Sequence, residues 1–353
     1  MDLLTKLWFS NINIDKNVKL QLINEGVNIK SLYNYSYERL WALSLSSKDI
    51  KEIERAKNPE YYKKVANYLE KEKIRFLFID DKDYPVYLKN IFDPPTGLFI
   101  KGKDISFNNC FAIVGARRAS EYGKVIARKI AKVLSGNGLT IVSGIALGID
   151  AASHIGAIEG GGTTIGVIGS GHMNRYPATN RHLYDEIENS GIVISEYFPD
   201  EMPLKPHFPQ RNRIISGLSK GTLIVEAAES SGSLITASLA LQEGREVYAI
   251  PGNINSKNSI GTNRLIREGA KIVLDENDIL EDYGIEVINK SIDNINLSNE
   301  ELVILKALAN SHLSFEDIYT LSSIERHKLI SILTKMECTR LIKRVYGNTY
   351  SVC

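Results

Sequence analysis

Cysteine is nearly absent. The 353 residues hold three, Cys110, Cys338 and Cys353. They are far apart and have no CxxC spacing, so neither a zinc site nor a disulfide framework is indicated, and a reducing compartment is expected. Long apolar runs are missing too. Nowhere do about 20 apolar residues follow one another, as a membrane-spanning helix requires, and the start of the chain lacks a signal-like apolar stretch with a cleavage site. The expectation is a soluble, cytoplasmic protein with no membrane contact. Charge of one sign is also lacking, because Lys plus Arg (43) nearly equals Asp plus Glu (42). A polyanion could therefore be held only by a local patch.

What is present supports real cores: 43% of residues are hydrophobic, in a chain longer than one usual domain. Residues 1–70 alternate apolar and charged positions at helical spacing, with a cap at Ser46-Ser47, and predict a small all-helical domain. Such helices occur in helix-hairpin-helix and sterile-alpha-motif-like modules and also in plain packing domains. Residues 71–103 hold short extended runs, Arg75 to Ile79 and Leu98 to Ile100, separated by Tyr84-Pro85 and Asp93-Pro94-Pro95, and read as a connector lying against the next domain.

From Cys110 the pattern changes. Short apolar runs at Phe111-Val114, Thr140-Val142, Thr164-Ile168, Ile192-Ile194, Thr222-Val225, Glu246-Ile250 and Lys271-Leu274 suit buried parallel strands. Helical stretches separate most of them. A doubly wound α/β core over about 110–284 follows, and with the connector it spans 71–288. Asn289 to Asn296 is linker-like. Residues 297–353 read as three helices and a hairpin turning at Gly347-Asn348, a winged-helix-like domain whose helix Ile324 to Met336 would take the recognition role. Glu325 and Glu337 dilute its basic face, leaving DNA contact, protein contact and a structural role open.

The core's strand ends carry the chemistry. Glycine permits close approach of a ligand to backbone, and the following helices offer free N–H groups. The ends are Gly115-Ala-Arg117-Arg118, Ser143-Gly144, Gly169-Ser-Gly171 with Arg181 beyond it, and Gly232-Ser233. In His207-Phe-Pro-Gln-Arg-Asn-Arg-Ile-Ile-Ser-Gly217 a helix is expected from about Pro209 to Gly217. At about 100° per residue, Arg211 falls inside the stripe of Ile214, Ile215 and Leu218 and points inward. Asn212 and Arg213 face other ways. Arg211 could be a buried ion pair with Glu196 or Glu226, or part of an anion site.

Gly169-Ser-Gly171 is followed by Asn174 and Pro177, so the dinucleotide fingerprint fails. There is no P-loop, and no nucleophile elbow can be assembled. Neither a cofactor nor a metal is indicated. Phosphate-bearing material without turnover fits: Arg117, Arg118, Arg181, Arg211 and Arg213 as charges, and Tyr176, Tyr184, Tyr197 and Phe208 as stacking groups for single-stranded nucleic acid.

These motifs, in this order, resemble the DNA-processing protein A (DprA/Smf) family: Ile113-Val-Gly-Ala-Arg117, Ser143-Gly-Ile-Ala-Leu-Gly-Ile-Asp-Ala-Ala-Ser-His154, Ile194-Ser-Glu-Tyr197, the segment 207–217, Glu226-Ala to Gly232-Ser-Leu-Ile-Thr236, and Ala249-Ile-Pro-Gly252. The resemblance covers about 76–273 strongly. It implies an extended Rossmann-like core that binds single-stranded DNA, forms homodimers and helps load the RecA recombinase in natural transformation, without chemical turnover. It also implies that Arg117 contacts phosphate. Two positions depart from the family pattern. Ala116 replaces the usual Ser, and Ala178 stands where relatives often carry Lys. The alternative is a nucleotide hydrolase of the lysine-decarboxylase-like class, whose Pro-Gly-Gly and Gly-Thr motifs are interrupted here at Pro251-Gly252-Asn253 and Gly261-Thr262-Asn263.

Overall fold

The computed structural model describes residues 1–285, 298–308, 312–322, 324–339, 341–345 and 349–352. The expected linker at Asn289 to Asn296 and the turn at Gly347-Asn348 lie outside them. The chain forms two compact units, Met1–Val287 and Ile288–Cys353. No helix among the described residues is long and apolar enough to cross a membrane.

The first unit is built on a nine-stranded sheet: β1 Arg75–Phe78, β2 Gly97–Gly102, β3 Cys110–Val114, β4 Thr140–Ser143, β5 Thr164–Val167, β6 Ile192–Ser195, β7 Gly221–Ile224, β8 Glu246–Ala249 and β9 Lys271–Ile272, in the order β1-β2-β6-β5-β4-β3-β7-β8-β9. The strands β3 to β7 are buried along their whole length. That is why their sequences run apolar without alternation, as strands covered by helices on both faces do. The chain winds from β3 outward in one direction through β4, β5 and β6 and in the other through β7, β8 and β9, so the order reverses at β3. In open α/β sheets ligands bind outside the carboxyl ends of the strands at such a reversal.

The seven strands expected from apolar runs are present within about two residues. The last is shorter than expected, because both its residues are exposed at the sheet edge. The connector differs more. Both its extended runs join the same sheet, β1 antiparallel to β2 and β2 antiparallel to β6, with Phe99 opposite Ser195. Phe99 is fully buried against Phe76 and Phe198, with centroids 4.8 and 5.2 Å away, and this aromatic seam explains the incorporation.

Residues 1–71 form six helices: Leu3–Asn11, Lys16–Asn24, Ile29–Leu32, Tyr37–Trp41, Ser47–Arg55 and Pro59–Lys71. Each is opened by a side chain that accepts a backbone N–H of its first turn: Asp2, Asp15, Asn28, Ser36, Ser46 and Asn58. Short helices are marginal alone. Here they are held by burial of Leu7, Trp8, Phe9, Leu40, Ile53 and Tyr62, and that apolar cluster continues into Phe78, Phe99 and the sheet.

In the second unit, helices Asn299–Leu308, Phe315–Ser322 and Arg326–Cys338 pack with a small sheet of β10 Leu313–Ser314, β11 Ile342–Val345 and β12 Thr349–Val352, ordered β10-β12-β11. Ile304, Ile318, Leu329, Leu333, Met336 and Tyr350 fill its core. The cations of the last helix are matched: Arg326 with Glu316, Lys328 with Glu300, Lys335 with Glu301.

Because β2 joins the helices to the sheet, Phe99→Ala should destabilise the first unit by about 3–5 kcal/mol. Urea unfolding should show one transition with a lowered midpoint. Separate melting of the helical segment would contradict a shared core.

Candidate functional site

At the reversal, β3 and β7 part. Val225 N–H still donates to Val114 O (3.1 Å) and Ala116 N–H to Glu226 O (2.8 Å), after which the chains diverge. Gly115 occupies the parting because a Cβ there would lie 2.6 Å from Ile149 and 3.0 Å from Glu226 O. The next two residues, Arg117 and Arg118, are exposed. The helix Glu121–Gly136 then starts, capped by Ser120. Glu226 locks this corner. Its carboxylate accepts from Ser120 N (2.9 Å), Ser120 Oγ (2.5 Å) and Asn258 Nδ2 (3.1 Å), tying together the loops after β3, β7 and β8.

The other wall is fixed by Arg211, 3% exposed. Its helix runs His207–Leu218, starting two residues before the expected Pro209. Nη1 donates to Gly144 O at 2.9 Å and to Val167 O, so one guanidinium joins the ends of β4 and β5 to this helix. The expected partners Glu196 and Glu226 are both engaged elsewhere. The facing charge is Asp150, whose carboxylate accepts Gly144 N–H at 3.2 Å. Gly144 stands between the two, since a Cβ on it would be 2.7 Å from both Arg211 Nη2 and Asp150 Oδ2. Burial raises the Asp150 carboxyl above its ordinary 3.8 while Arg211 pulls it down. Burial lowers the Arg211 guanidinium while Asp150 holds it up. Among the described residues, Arg211 Nε is buried without a hydrogen-bond partner.

Between these walls lies a cavity of about 510 Å³, and its lining includes Gly115, Arg117, Arg118, Phe208, Arg211, Asn212, Gly232 and Ser233. The helix Gly232–Gln242 opens onto it, with Ser231 as its cap. An adjoining recess of about 210 Å³ shares Arg117, Arg118, Phe208 and Arg211 and adds Gly144, Leu147, Tyr176 and Pro177. The Arg117 guanidinium lies 5.1 Å from the centroid of the Phe208 ring, which adjoins the Tyr176 ring at 5.5 Å. Tyr176 is 47% exposed. Gly169 backs Phe208, since a Cβ there would come within 3.2 Å of that ring. Among the described residues no carboxylate comes within ion-pair distance of Arg117 or Arg118, so the cavity mouth is positive although the whole chain is nearly neutral.

Other expected site residues are not in the cavity. Ser143 is fully buried, its hydroxyl donating to Ile113 O (2.6 Å). Gly171 is packed against the carbonyls of Phe198 and Pro199. Arg181 is exposed but lines neither the cavity nor the recess. Arg213 bonds Glu196 through Nη1 (2.8 Å) and Nη2 (2.6 Å) and Asp93 through Nε (3.0 Å). It lies on the side of residues 10–16, where burial pulls its guanidinium down but Glu196 and Asp93 outweigh that and raise it above its usual basicity. Tyr184 and Tyr197, expected as stacking groups, are 1% and 9% exposed. The first donates to Tyr176 O at 2.7 Å, and the second stacks on His207 at 4.1 Å. His154 is a packing residue. Burial lowers its imidazole to about 3, and Nδ1 lies 2.7 Å from Thr164 Oγ1. Asp150, Ser230 and Asn258 line the cavity without having been singled out as site residues. An acid in the first turn of a glycine-preceded helix was the available signal for Asp150.

The family model for DNA recombination-mediator protein A matches residues 75–284, which carry every residue of this cavity. The chain belongs to the DNA recombination-mediator protein A family. Members it resembles include DNA processing protein DprA of Streptococcus pneumoniae, 45% identical over 67% of this chain and 86% of that one. The Bacillus subtilis DprA is 43% identical over 64% of this chain and 76% of that one. The X-ray structure of the S. pneumoniae DprA covers 81% of this chain and 99% of its own, at 38% identity and TM-score 0.66. A Helicobacter pylori DNA processing protein A structure covers 60% and 97%, at 30% identity and TM-score 0.55, and is described in terms of that protein's single-stranded DNA binding mode. The Rossmann-like α/β core described above is the family's fold.

Removing one partner of a buried charge pair costs about 3–5 kcal/mol, so Arg211→Met should lose that much stability at pH 7. Asp150, whose carboxyl is raised, favours folding below its ordinary 3.8, and this contribution fades as pH rises. Without Arg211 the carboxyl rises further. The loss should therefore shrink when denaturation is repeated near pH 4, and adding Asp150→Asn should recover part of it at pH 7. A loss independent of pH would mean the pair is not coupled.

Proposed function

We propose that this chain binds single-stranded DNA in the cavity at the sheet's reversal, and that as a homodimer it hands the strand to a RecA recombinase. The observation that carries the reading is Arg117. Among the described residues its guanidinium has no carboxylate partner, and it lies over Phe208 beside the half-exposed Tyr176. Phosphate needs the cation, unpaired bases need flat rings, and a groove supplying both suits a single strand of any sequence. Arg118, Asn212, Gly232 and Ser233 line the same cavity. Membership in a recombination-mediator family and the reported binding mode of the H. pylori relative support the ligand. The homodimer and RecA rest on the family resemblance.

The nucleotide-hydrolase alternative needs a carboxylate free to act as a base. Glu226 is held by Ser120 and Asn258, and Asp150 by Gly144 with Arg211 beyond it. At the interrupted Pro251-Gly252-Asn253 motif, Asn263 bonds the backbone of Gly252 in both directions (2.9 and 3.0 Å). These commitments favour binding without turnover.

Filter binding with oligonucleotides should show salt-sensitive affinity with little sequence preference. Arg117→Ala should reduce the slope of log affinity against log salt by about 0.7, and Phe208→Ala should cost about 1–3 kcal/mol for all sequences. Absence of binding at low salt would sink the proposal, and release of free base from nucleoside monophosphates would favour the hydrolase.

A further inference from the structure

The exposed arginines at the cavity mouth leave from a loop whose backbone is held from outside it. Ala116 N–H donates to Glu226 O (2.8 Å) and Ser120 N–H to Glu226 Oε2 (2.9 Å), which fixes the two ends of the segment. Between those ends, among the described residues, one hydrogen bond holds the backbone: Asn258 Nδ2 donates to Arg118 O (3.2 Å). The same nitrogen donates to Glu226 Oε2 (3.1 Å). The two partners are a carbonyl and a carboxylate oxygen that already accepts from Ser120, so the nitrogen of the side-chain amide, with its two hydrogens, must face them.

Asn258 is itself anchored. It lies in the turn Lys257–Ser259 after β8, its carbonyl accepts Ala227 N–H (2.7 Å), and Gly261 N–H donates to Ala227 O (2.8 Å). Earlier in the same loop, Asn263 donates to Gly252 O (2.9 Å) and accepts Gly252 N–H (3.0 Å). The amide therefore reaches the arginine loop from a different strand end, and Asn258 lines the cavity.

An exposed arginine has many rotamers, and a bound strand gains most from its charge when the backbone that carries it is fixed beforehand. Arg117 has a further restraint, the Phe208 ring 5.1 Å from its guanidinium. Among the described residues Arg118 has neither a ring nor a carboxylate beside it, so its backbone is what orients it.

We propose that Asn258 is a positioning residue of this site: by holding the Arg118 carbonyl it fixes where the Arg118 guanidinium meets a phosphate of the bound strand. The inference rests on the single-strand reading of the cavity.

A double-mutant cycle on the full chain tests it, with a labelled oligothymidylate as probe and anisotropy read over a series of salt concentrations. Arg118→Ala should reduce the slope of log affinity against log salt by about 0.7, the share of one phosphate contact on a single strand. Asn258→Ala removes no charge, yet it should weaken binding about 2- to 10-fold, the worth of one hydrogen bond, and lower that slope as well. In the Arg118→Ala background Asn258→Ala should change neither affinity nor slope, whereas in the Arg117→Ala background its effect should persist. Asn258→Leu, similar in shape and uncharged but without a donor, should behave as Asn258→Ala does.

Full affinity and slope in Asn258→Ala overturn the inference, as does wild-type affinity in Arg118→Ala. An undiminished effect of Asn258→Ala in the Arg118→Ala background also overturns it, in favour of Asn258 touching the strand directly. Loss of the effect in the Arg117→Ala background points to the whole loop and overturns it too. Wild-type binding by Asn258→Leu does the same, in favour of packing. Lost stability cannot imitate the expected pattern, because a smaller folded fraction would weaken binding in every background. Failure of the cavity reading looks different, since the wild-type chain itself would then not raise the anisotropy.

Discussion

A guanidinium cut off from bulk water sits where the ends of β4 and β5 meet the helix His207–Leu218, and the geometry of the cavity depends on it. Burying such a charge costs several kcal/mol. Two carbonyls and the facing Asp150 offset that cost only while the two strand ends and the helix keep their places. Phe208 lies one turn before Arg211 and Asn212 immediately after it, so the position of the Phe208 ring is inherited from a contact it does not itself make. Glu226 does the corresponding work on the far wall, with opposite charge and full hydrogen bonding. The exposed arginines, Arg117 and Arg118, thus project from a frame held by buried charges.

Much of this was legible in the chain. The buried strands announced themselves as apolar runs without alternation, and the inward direction of Arg211 followed from its phase with Ile214, Ile215 and Leu218. What period and phase cannot convey is which distant group meets a side chain. Arg211 faces Asp150, 61 positions earlier in sequence, and not the strand-end glutamates closer at hand. Arg213 lies off the apolar stripe, yet residues 10–16 and Asp93 stand on that side, so the position off the stripe is largely buried too. The same omission hid the role of Arg75 to Ile79 and Leu98 to Ile100. Their extended character was readable, but membership in the sheet depends on a partner, β6, some 90 residues further on.

Local chemistry was the most readable level of all. Six helices in the first 71 residues each begin at an Asp, Asn or Ser whose side chain closes the first turn. In the second unit, by contrast, the winged-helix pattern says little about use, because the glutamates around the last helix neutralise cations that a duplex-reading helix would keep free.

The near-cancellation of charge has a consequence for range. With a formal net charge of +1, the molecule casts no field that reaches far into solution, and at physiological salt even the unmatched arginines are felt only over about 8 Å. Anything the cavity takes up must first arrive by chance at its mouth. A charged partner passing at a greater distance goes unnoticed, so encounter depends on who can come close rather than on who is drawn in.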